Sequence, residues 1–514
     1  MSNVIPKIKS EKESGRTIKL PEAIRIYSAF EEPVIKVYAE RMAKKGYEVS
    51  PAEEAGDAFI AVNKLEDEAN KEKYTISVTE TGVAVGAASA RAAIYAFTTL
   101  YLLMENGRIP ETEIEDEPKY AHRGQHMDVA RHFQTYEEIL KVIDELSMVK
   151  INVVHLHLAD DQGWRIQVDK YPRLYEQCGD KYYTKDQLKA IDEYACERGI
   201  EVIPEIDMPG HTRAMTAAYP ELSCSKEKVE LVSYGGIFPV ILCPGQEETY
   251  TFVTEMLDEV APLFKGPRFH IGGDEAPKNH WKTCPVCQAK MQAEGLENED
   301  QLQGYFTKRI ADHLKTKHGK DYICWNDSLK APSFIKGGTV QYWSLEHKAN
   351  LPAFIEDGGS FIYSDMFDIY YDYPAAMSPM KRSYTCKPVI GGVDYSENPA
   401  MLGFEAALWT EYVEDAKTFE NRMFPRIYAL AENAWCGGAE ENYADFNKRL
   451  DAYKKESAVD WGYGDPTGLK KMTEKMGYMK TMATGMPKEV KASTVESAAM
   501  SDEFMALFKE KMMK

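Results

Sequence analysis

Short apolar runs alternate with amphipathic stretches along the chain from about His122 onward. Each run is followed by polar or glycine-rich residues and then by a stretch whose apolar residues have helical spacing. Repeated strand–helix units of this kind are typical of a parallel sheet with helices outside it. Eight of them predict an α/β fold, a (β/α)8 TIM barrel. The strand segments are AHRGQHMDVARHF, INVVHLHLADDQGW, IEVIPEIDMPGH, RFHIGGDE, DYICWNDSL, GTVQYWS, SFIYSDMFDIYYDYP and FEAALWTEY.

The first 117 residues have a different pattern and predict a separate, small α+β domain. YTISVTETGVAVGAAS predicts two short strands joined by a Thr-Gly turn, and ARAAIYAFTTLYLLMENG predicts a helix that ends at Asn-Gly. We assign the barrel to residues 118–457. Residues 458–514 are rich in lysine and methionine, and we expect C-terminal helices there that pack on the barrel.

Charge and composition narrow the class of ligand. The 514 residues carry a formal net charge of -20, which argues against nucleic acid and against an anionic membrane surface as partners. No stretch approaches the roughly 20 apolar residues of a membrane helix. The opening residues MSNVIPKIKSEKESGR lack the apolar core of a secretory signal, so we expect a cytoplasmic protein. A secreted chain trimmed of its leader would look the same, and the oligomeric state is left open.

The nine cysteines are scattered and odd in number, so we do not expect a disulfide scaffold. Free thiols are typical of a reducing compartment. Cys284 and Cys287 form a single C-x-x-C pair in KTCPVCQAK, with His280 nearby. A zinc site normally needs two further ligands at defined spacing, and no second pair follows. We therefore predict no metal and interpret the pair as a pinned loop or as two free thiols.

The carboxyl ends of the predicted strands collect acids, aromatic residues and one arginine. In a barrel of this type the active site lies at these ends. Carboxylates and arginine hydrogen-bond sugar hydroxyls, while aromatic rings cover the apolar faces of sugars. A phosphate site would need a glycine-rich loop and more cations, and no nucleophile elbow is present for a Ser-His-Asp enzyme. The residues are Arg131, His132, Asp160, Asp161, Asp207, His211, Asp274, Glu275, Trp325, Trp343, Tyr370, Asp372, Trp409 and Glu411.

Each of these positions also has a purely structural interpretation. An aspartate at a strand end is often a helix N-cap, and a tryptophan at the rim is often core packing. His155 and His157 lie within a strand, and we expect them to be satisfied interior residues. Asp274 and Glu275 are adjacent, and neighbours on an extended strand point to opposite faces. We therefore expect two different tasks for the two carboxylates.

Several motifs resemble those of glycoside hydrolase family 20, the β-N-acetylhexosaminidases. RHF, HLHLADDQGWRI, IPEIDMPGH, LCPG, HIGGDE, LWTEY and FPRIYALAENAW occur in the family's order, between about Tyr120 and Trp435. The N-terminal unit resembles, more weakly, the small domain that precedes these barrels. The resemblance implies an exo-acting enzyme that removes terminal β-linked GlcNAc or GalNAc with retention, through an oxazolinium intermediate formed by the substrate's own acetamide. It implies a glycan substrate and no cofactor.

The resemblance also implies roles for individual residues. Glu275 matches the family's general acid/base, and Asp274 matches the residue that orients and polarises the 2-acetamido group. Tyr370 matches the tyrosine that hydrogen-bonds the acetamido oxygen. Asp160 and His211 match a relay that supports the acid/base. The residues matched to or placed near substrate binding are Arg131, Asp207, Trp325, Trp343, Asp372, Trp409 and Glu411.

Two stretches depart from the family's pattern or align loosely. SDMFDIYYDYP offers Phe367 with Asp368 as an alternative to Tyr370 with Asp372. The family often has Asp-Glu where this chain has Asn326-Asp327, which puts substrate contacts there in doubt.

Three alternative functions stay open: a disaccharide-releasing member of the family, a member specific for sulfated GlcNAc, and a non-catalytic sugar-binding barrel. The last predicts loss of an essential carboxylate or tryptophan, and none is missing.

Overall fold

The structure is a computed structural model that describes residues 4–30, 33–66, 69–459 and 461. Its N-terminal part is a mixed sheet, in the order β1-β7-β5-β6-β4-β2-β3 of the strands named below. Two helices, α1 (Pro33–Lys44) and α2 (Ala90–Leu103), pack against each other and on this sheet. The strands are β1 (Ser10–Lys19), β2 (Ala23–Ser28), β3 (Glu48–Pro51), β4 (Ile60–Lys64), β5 (Tyr74–Thr79), β6 (Gly82–Ala87) and β7 (Arg108–Asp116).

The hairpin and the helix predicted in this part are confirmed. β5 and β6 pair antiparallel around the Thr-Gly turn. Helix α2 begins after Ser89, whose side chain accepts a hydrogen bond from the N–H of Ala92 and so satisfies one of the free donors at the helix start. The terminal helices expected in residues 458–514 lie almost wholly outside the described residues.

The predicted barrel is also confirmed. Within the described residues, β8, β9, β12, β13, β14, β15, β16 and β19 close into a parallel barrel, and each contains part of one of the eight predicted segments. The short strands pair as β10 with β11 and β17 with β18. The bounds are β8 (His122–Asp128), β9 (Val153–His157), β10 (Ala159–Asp160), β11 (Gly163–Trp164), β12 (Glu201–Glu205), β13 (Arg268–His270), β14 (Asp321–Trp325), β15 (Thr339–Tyr342), β16 (Ser360–Tyr363), β17 (Val389–Ile390), β18 (Val393–Asp394) and β19 (Met401–Leu408).

Helices alternate with these strands and cover the barrel's outer face. Thr184 and Gln187 form a capping box at the start of one of them, α5, where two backbone N–H groups are satisfied reciprocally. No helix among the described residues is long and apolar enough to cross a bilayer. The helices are α3 (Tyr136–Met148), α4 (Arg173–Glu176), α5 (Lys185–Glu197), α6 (Arg213–Ala218), α7 (Glu247–Val260), α8 (Asn279–Thr283), α9 (Pro285–Glu294), α10 (Glu299–His318), α11 (Leu351–Glu356), α12 (Met380–Thr385), α13 (Ala416–Met423), α14 (Arg426–Cys436) and α15 (Tyr443–Tyr453).

Buried charge pairs join the N-terminal sheet to the barrel. Arg123, almost fully buried, donates to Glu72 at 2.7 Å, and the buried Lys150 ammonium lies 3.2 Å from Asp116. Burying either charge alone would be costly, so each pair holds the two parts in one arrangement. Arg123 is the second residue of β8, and Lys150 precedes β9. The N-terminal part therefore contacts the amino ends of these strands, opposite the end where we expect the site.

The barrel interior changes from apolar to polar along its axis. A cluster of aliphatic side chains from four strands comprises Val153, Ile203, Ile323 and Ile362. Further along β9 and β19, the buried imidazole of His155 contacts Glu405 at 2.7 Å. This polar layer adjoins the carboxyl ends of the strands. The side chains of the candidate site therefore pack on buried, hydrogen-bonded side chains rather than on apolar ones.

Candidate active site at the carboxyl ends of the barrel strands

The adjacent acids Asp274 and Glu275 lie in a tight turn beyond the end of β13. The strand ends at His270, and three residues of the turn have left-handed backbone: Gly272 (φ 66), Gly273 (φ 110) and Glu275 (φ 45). A glutamate rarely adopts this conformation, and such strain is often found at functional sites. The expectation of an extended strand with the two acids on opposite faces is therefore wrong.

Gly272 is required because the neighbouring strand end passes directly against it. A Cβ at Gly272 would lie 1.6 Å from Oδ1 of Asp207, and the N–H of Gly273 donates to that same oxygen at 2.9 Å. Asp207 is almost fully buried. The sequence placed Asp207 among the substrate-binding residues, whereas the structure places it beneath the turn, where it positions the backbone of the two acids.

Both acids meet the same nitrogen of His211. Nε2 of the imidazole lies 3.5 Å from Oε2 of Glu275 and 3.7 Å from Oδ2 of Asp274. On the other side of the ring, Nδ1 lies 3.3 Å from Oδ1 of Asp160 and 3.4 Å from Oδ2 of Asp161. The structure thus brings together Asp160, His211 and Glu275, the three residues of the relay that the sequence suggested.

Asp160 connects this relay to the barrel interior and to Arg131. Its Oδ2 lies 2.9 Å from Nη2 of Arg131, in an ion pair, and 2.7 Å from Nε2 of His157. Nδ1 of His157 in turn contacts Glu205 at 2.5 Å. His157 is a satisfied interior residue, as expected, but it also extends the relay. Sequence reasoning missed Glu205, although the IPEIDMPGH motif contained a carboxylate two positions before Asp207.

The charges in this group shift each other's pKa. Burial raises the pKa of Asp274 to about 7, and the positive His211 opposes the rise while Asp327 and Glu275 add to it. Burial also raises the pKa of Asp207, and the charge of Asp274 raises it further. For His211 burial favours the neutral ring, but Asp160 and Asp274 outweigh it and the pKa is raised. The two buried aspartates therefore compete for ionisation beside a cationic imidazole.

Four aromatic side chains from successive strand ends lie together beside the acids. Trp343 and Tyr370 are nearly parallel with ring centroids 6.4 Å apart, and Trp409 lies 6.3 Å from Tyr370 and 5.7 Å from Trp325. Nε1 of Trp325 donates to Glu205 at 2.8 Å, which holds this ring against the polar layer of the barrel interior. The rings form apolar walls of the kind that hold a sugar or an acetyl group.

The sequence left the role of Asp327 undecided. Its Oδ2 accepts a hydrogen bond from Nε1 of Trp343 at 3.0 Å, and its Oδ1 accepts one from the backbone N–H of Glu275 at 3.4 Å. Asn326 accepts from the N–H of Trp343 at 2.9 Å. The Asn-Asp pair at this position therefore ties an aromatic wall to the turn of the two acids.

Tyr370 is better placed than its sequence alternative. Phe367 is fully buried, and the Oδ2 of Asp368 accepts from the hydroxyl of Tyr363 at 3.4 Å. Tyr370 instead faces Trp343 and Trp409. Burial raises the pKa of its hydroxyl, and the nearby charges of Asp372 and Asp274 add to the rise. The geometry thus favours Tyr370 at the site.

Arg131, Asp372 and Glu411 form a polar group beside Trp409. The guanidinium of Arg131 lies 4.8 Å from the Trp409 ring centre and 3.8 Å from Oε1 of Glu411. Burial raises the pKa of Asp372 to about 7, and the nearby charge of Glu411 adds to the rise. A cleft of about 240 Å³ opens beside Arg131 and Glu411 and is bordered by residues 231–235. Such a group can hydrogen-bond several hydroxyls of one sugar ring.

Away from the acids, the cysteine pair has partners that the sequence analysis did not find. Cys224 and Cys243 lie against Cys284 and Cys287, and the sulfurs of all four are within 4.8 Å of one another. The argument that no second pair follows Cys287 missed them because they precede it in the chain and are too far apart in sequence to form a C-x-x-C motif. The interpretation as a pinned loop or two free thiols is incomplete.

Two family sequence models match the chain. The one described as "Glycosyl hydrolase family 20, catalytic domain" matches residues 120–438, and the one for domain 2 of the same family matches residues 1–117. A β-hexosaminidase of Porphyromonas gingivalis is 34% identical in an alignment of 487 positions, which covers 87% of this chain and 62% of that protein. The chain thus spans less than two thirds of that relative's length.

Solved structures give the same grouping. The β-N-acetylhexosaminidase of Bacteroides fragilis is 29% identical with a TM-score of 0.80, and the match covers 91% of this chain and 99% of that chain. A mutant Streptomyces plicatus β-hexosaminidase in complex with the product GlcNAc is 28% identical with a TM-score of 0.77, covering 89% and 96% of the two chains.

Proposed function

The chain belongs to glycosyl hydrolase family 20, and from this membership we propose that it is an exo-acting β-N-acetylhexosaminidase that hydrolyses terminal β-linked GlcNAc or GalNAc with retention. The observation that carries the proposal is the meeting of Asp274 and Glu275 at Nε2 of His211, beside the aromatic walls. The GlcNAc bound to the Streptomyces plicatus relative supports a sugar of this kind as the product.

In the first step, the substrate's acetamide oxygen attacks its own anomeric carbon. The bond from that carbon to the leaving oxygen breaks, and Glu275 donates a proton to that oxygen. The buried Asp274 carboxylate accepts a hydrogen bond from the acetamide N–H and stabilises the positive charge of the oxazolinium ring that forms. The enzyme supplies no nucleophile, which agrees with a site where both acids already have other tasks.

In the second step, Glu275 takes a proton from a water molecule as that water adds to the anomeric carbon. The oxazolinium ring opens, the acetamide re-forms, and the sugar leaves with its original anomeric configuration. His211, cationic between Asp160 and the two acids, balances the changing charge on Glu275. The walls formed by Trp343, Tyr370 and Trp409 would hold the acetamide in attack geometry.

Arg131, Asp372 and Glu411 would bind hydroxyls of the non-reducing sugar. This group would contact the hydroxyl that differs between GlcNAc and GalNAc, so the preference between them is left to experiment. A disaccharide-releasing member of the family would need room beyond this group. The cleft of about 240 Å³ beside Arg131 and Glu411 is the feature that favours this second candidate.

A panel of p-nitrophenyl glycosides tests the proposal. The β-N-acetylglucosaminide and β-N-acetylgalactosaminide should be cleaved, and the β-glucoside, which has no acetamide, should not. The lacto-N-bioside reports disaccharide release in the same assay. Failure to turn over any N-acetylhexosaminide, with binding of GlcNAc retained, would favour the sugar-binding barrel instead.

A further inference from the structure

Four cysteine sulfurs gather at one point between two loops that flank the candidate active site. Sγ of Cys287 lies 3.7 Å from Sγ of Cys224 and 3.5 Å from Sγ of Cys243, and Sγ of Cys243 lies 4.0 Å from Sγ of Cys284. All six separations are within 4.8 Å. Three of the cysteines are buried and Cys224 is half-buried.

We propose that Cys224, Cys243, Cys284 and Cys287 bind one zinc ion as a structural, four-cysteine site. Sulfurs bound tetrahedrally at the usual Zn–S distance of about 2.3 Å are about 3.8 Å from one another, and the separations of 3.5, 3.7 and 4.0 Å are close to this value. Binding converts the four thiols to thiolates, and their protons are released to solvent. The inference does not rest on the proposed glycosidase activity.

The arrangement of the four sulfurs fits a shared metal better than two disulfides. A disulfide holds its sulfurs about 2 Å apart and pairs each cysteine with one partner. Cys287 is instead nearly equidistant from Cys224 and Cys243, and Cys243 also approaches Cys284. A common centre explains these overlapping approaches.

The backbone around the sulfurs has the shape of a built site. Cys284 and Cys287 enclose Pro285 at the start of α9, as in the knuckles of zinc-binding domains. Gly245 lies so close to this knuckle that a Cβ there would be 2.5 Å from the backbone nitrogen of Cys287. The N–H of Gly245 donates to Cys243. Metal-bound thiolates are commonly oriented by hydrogen bonds of this kind.

The surroundings of the cluster are apolar. Ile241, Trp281, Met291 and Leu302 are buried around the sulfurs. Thiolates in such a setting require a compensating cation, and zinc supplies it directly. Among the described residues, the group of possible metal ligands at this point consists of the four cysteines, so the coordination would be all-sulfur and closed, as in structural rather than catalytic zinc sites.

The position of the cluster gives the metal a specific task. Cys224 and Cys243 bracket the loop 225–242, whose residues 231–235 border the cleft beside Arg131 and Glu411. Cys284 and Cys287 follow the turn of Asp274 and Glu275 by a short segment. The zinc would therefore fasten the loop that borders the cleft to the segment that follows the two acids.

Metal analysis of the full chain tests the proposal directly. Protein without a histidine tag, purified without chelator, should contain about one zinc per chain by mass spectrometry of the metal. Growth with cobalt in place of zinc should give the visible absorption of tetrahedral cobalt–thiolate. In Cys243→Ser and Cys287→Ser the metal should fall to a small fraction. Cys324→Ser, which alters a buried cysteine outside the cluster, should keep it.

The proposal does not depend on the variants folding, because the parent protein decides it. Alkylation of the denatured, unreduced chain counts free thiols. Zinc-free protein in which all nine cysteines are alkylated would overturn the site, and so would zinc-free protein with mapped disulfides among the four. With zinc bound, removal of the metal by a chelator and a mercurial should make loop 225–242 a site of proteolytic cleavage. A cleavage pattern unchanged by metal removal would overturn the fastening role.

Discussion

Oε2 of Glu275 lies 3.5 Å from Nε2 of His211, and the opposite nitrogen of the same ring lies 3.3 Å from Asp160. His211 and Glu275 both have left-handed backbone, with φ of 51° and 45°. The fold thus holds two residues in an unfavourable conformation so that one imidazole can contact a buried carboxylate on one side and the proposed acid/base on the other.

Replacing Glu275 by glutamine should remove the proton donor while keeping the shape of the turn. We expect kcat/KM, which reports the first step, to fall by about 10²–10⁴-fold on chitobiose, whose leaving group needs protonation, and by much less on p-nitrophenyl substrates, whose leaving group does not. Steady-state kinetics on both substrates measure this. Glu397→Gln, which changes an exposed glutamate paired with Lys119, is the control. Equal losses on both substrates would argue against a proton-donor role.

The pH dependence of kcat/KM should report the ionisation of Asp274, whose pKa is about 7. Since the mechanism needs its carboxylate, kcat/KM should rise with pH through this value. Asp327→Asn removes a charge that raises this pKa, so the rise should move to lower pH. His211→Gln removes a charge that lowers it, so the rise should move to higher pH.

The opposite directions make these two variants controls for each other. Asp186→Asn, which changes a fully solvated carboxylate on α5, should leave the profile unchanged. A shift of both active-site variants in the same direction would contradict the assignment of the acidic limb to Asp274.

Asp274→Asn should lose activity and gain stability in alkaline solution. The ordinary pKa of 3.8 is raised to about 7 in the folded protein. As pH rises between these values, the unfolded chain releases this proton before the folded protein does, so the folded state loses stability. Asparagine carries no such proton. The variant should therefore exceed the parent in Tm at about pH 8, with the difference shrinking toward pH 4. A Tm difference independent of pH would contradict this.

Asp207 should act through the turn and not through the sugar. Asparagine can keep Oδ1 as the acceptor for the N–H of Gly273, whereas alanine leaves that donor unpaired and a space beside Gly272. We expect kcat of Asp207→Ala to fall at least tenfold below that of Asp207→Asn, with the KM of both near that of the parent. A large rise in KM in both variants would indicate direct substrate binding.

The barrel could be predicted because its strand–helix alternation is local, and the matched motifs contain most of the residues that the structure brings together at the candidate site. Three features depended on tertiary contacts that no local pattern encodes. The left-handed turn at Glu275 is set by the approach of Asp207. The role of Asp327 depends on the distance to Trp343 across two strand ends. The partners of Cys287 come from a loop that precedes it by dozens of residues.

The central claim is that the substrate's own acetamide is the nucleophile, held by Asp274 while Glu275 moves the proton. A series of p-nitrophenyl β-glucosaminides with acetyl, fluoroacetyl, difluoroacetyl and trifluoroacetyl groups on nitrogen tests it most directly. Each fluorine weakens the attacking carbonyl oxygen, so kcat/KM should fall steeply and progressively along the series. A rate that stays flat from acetyl to trifluoroacetyl would contradict the account.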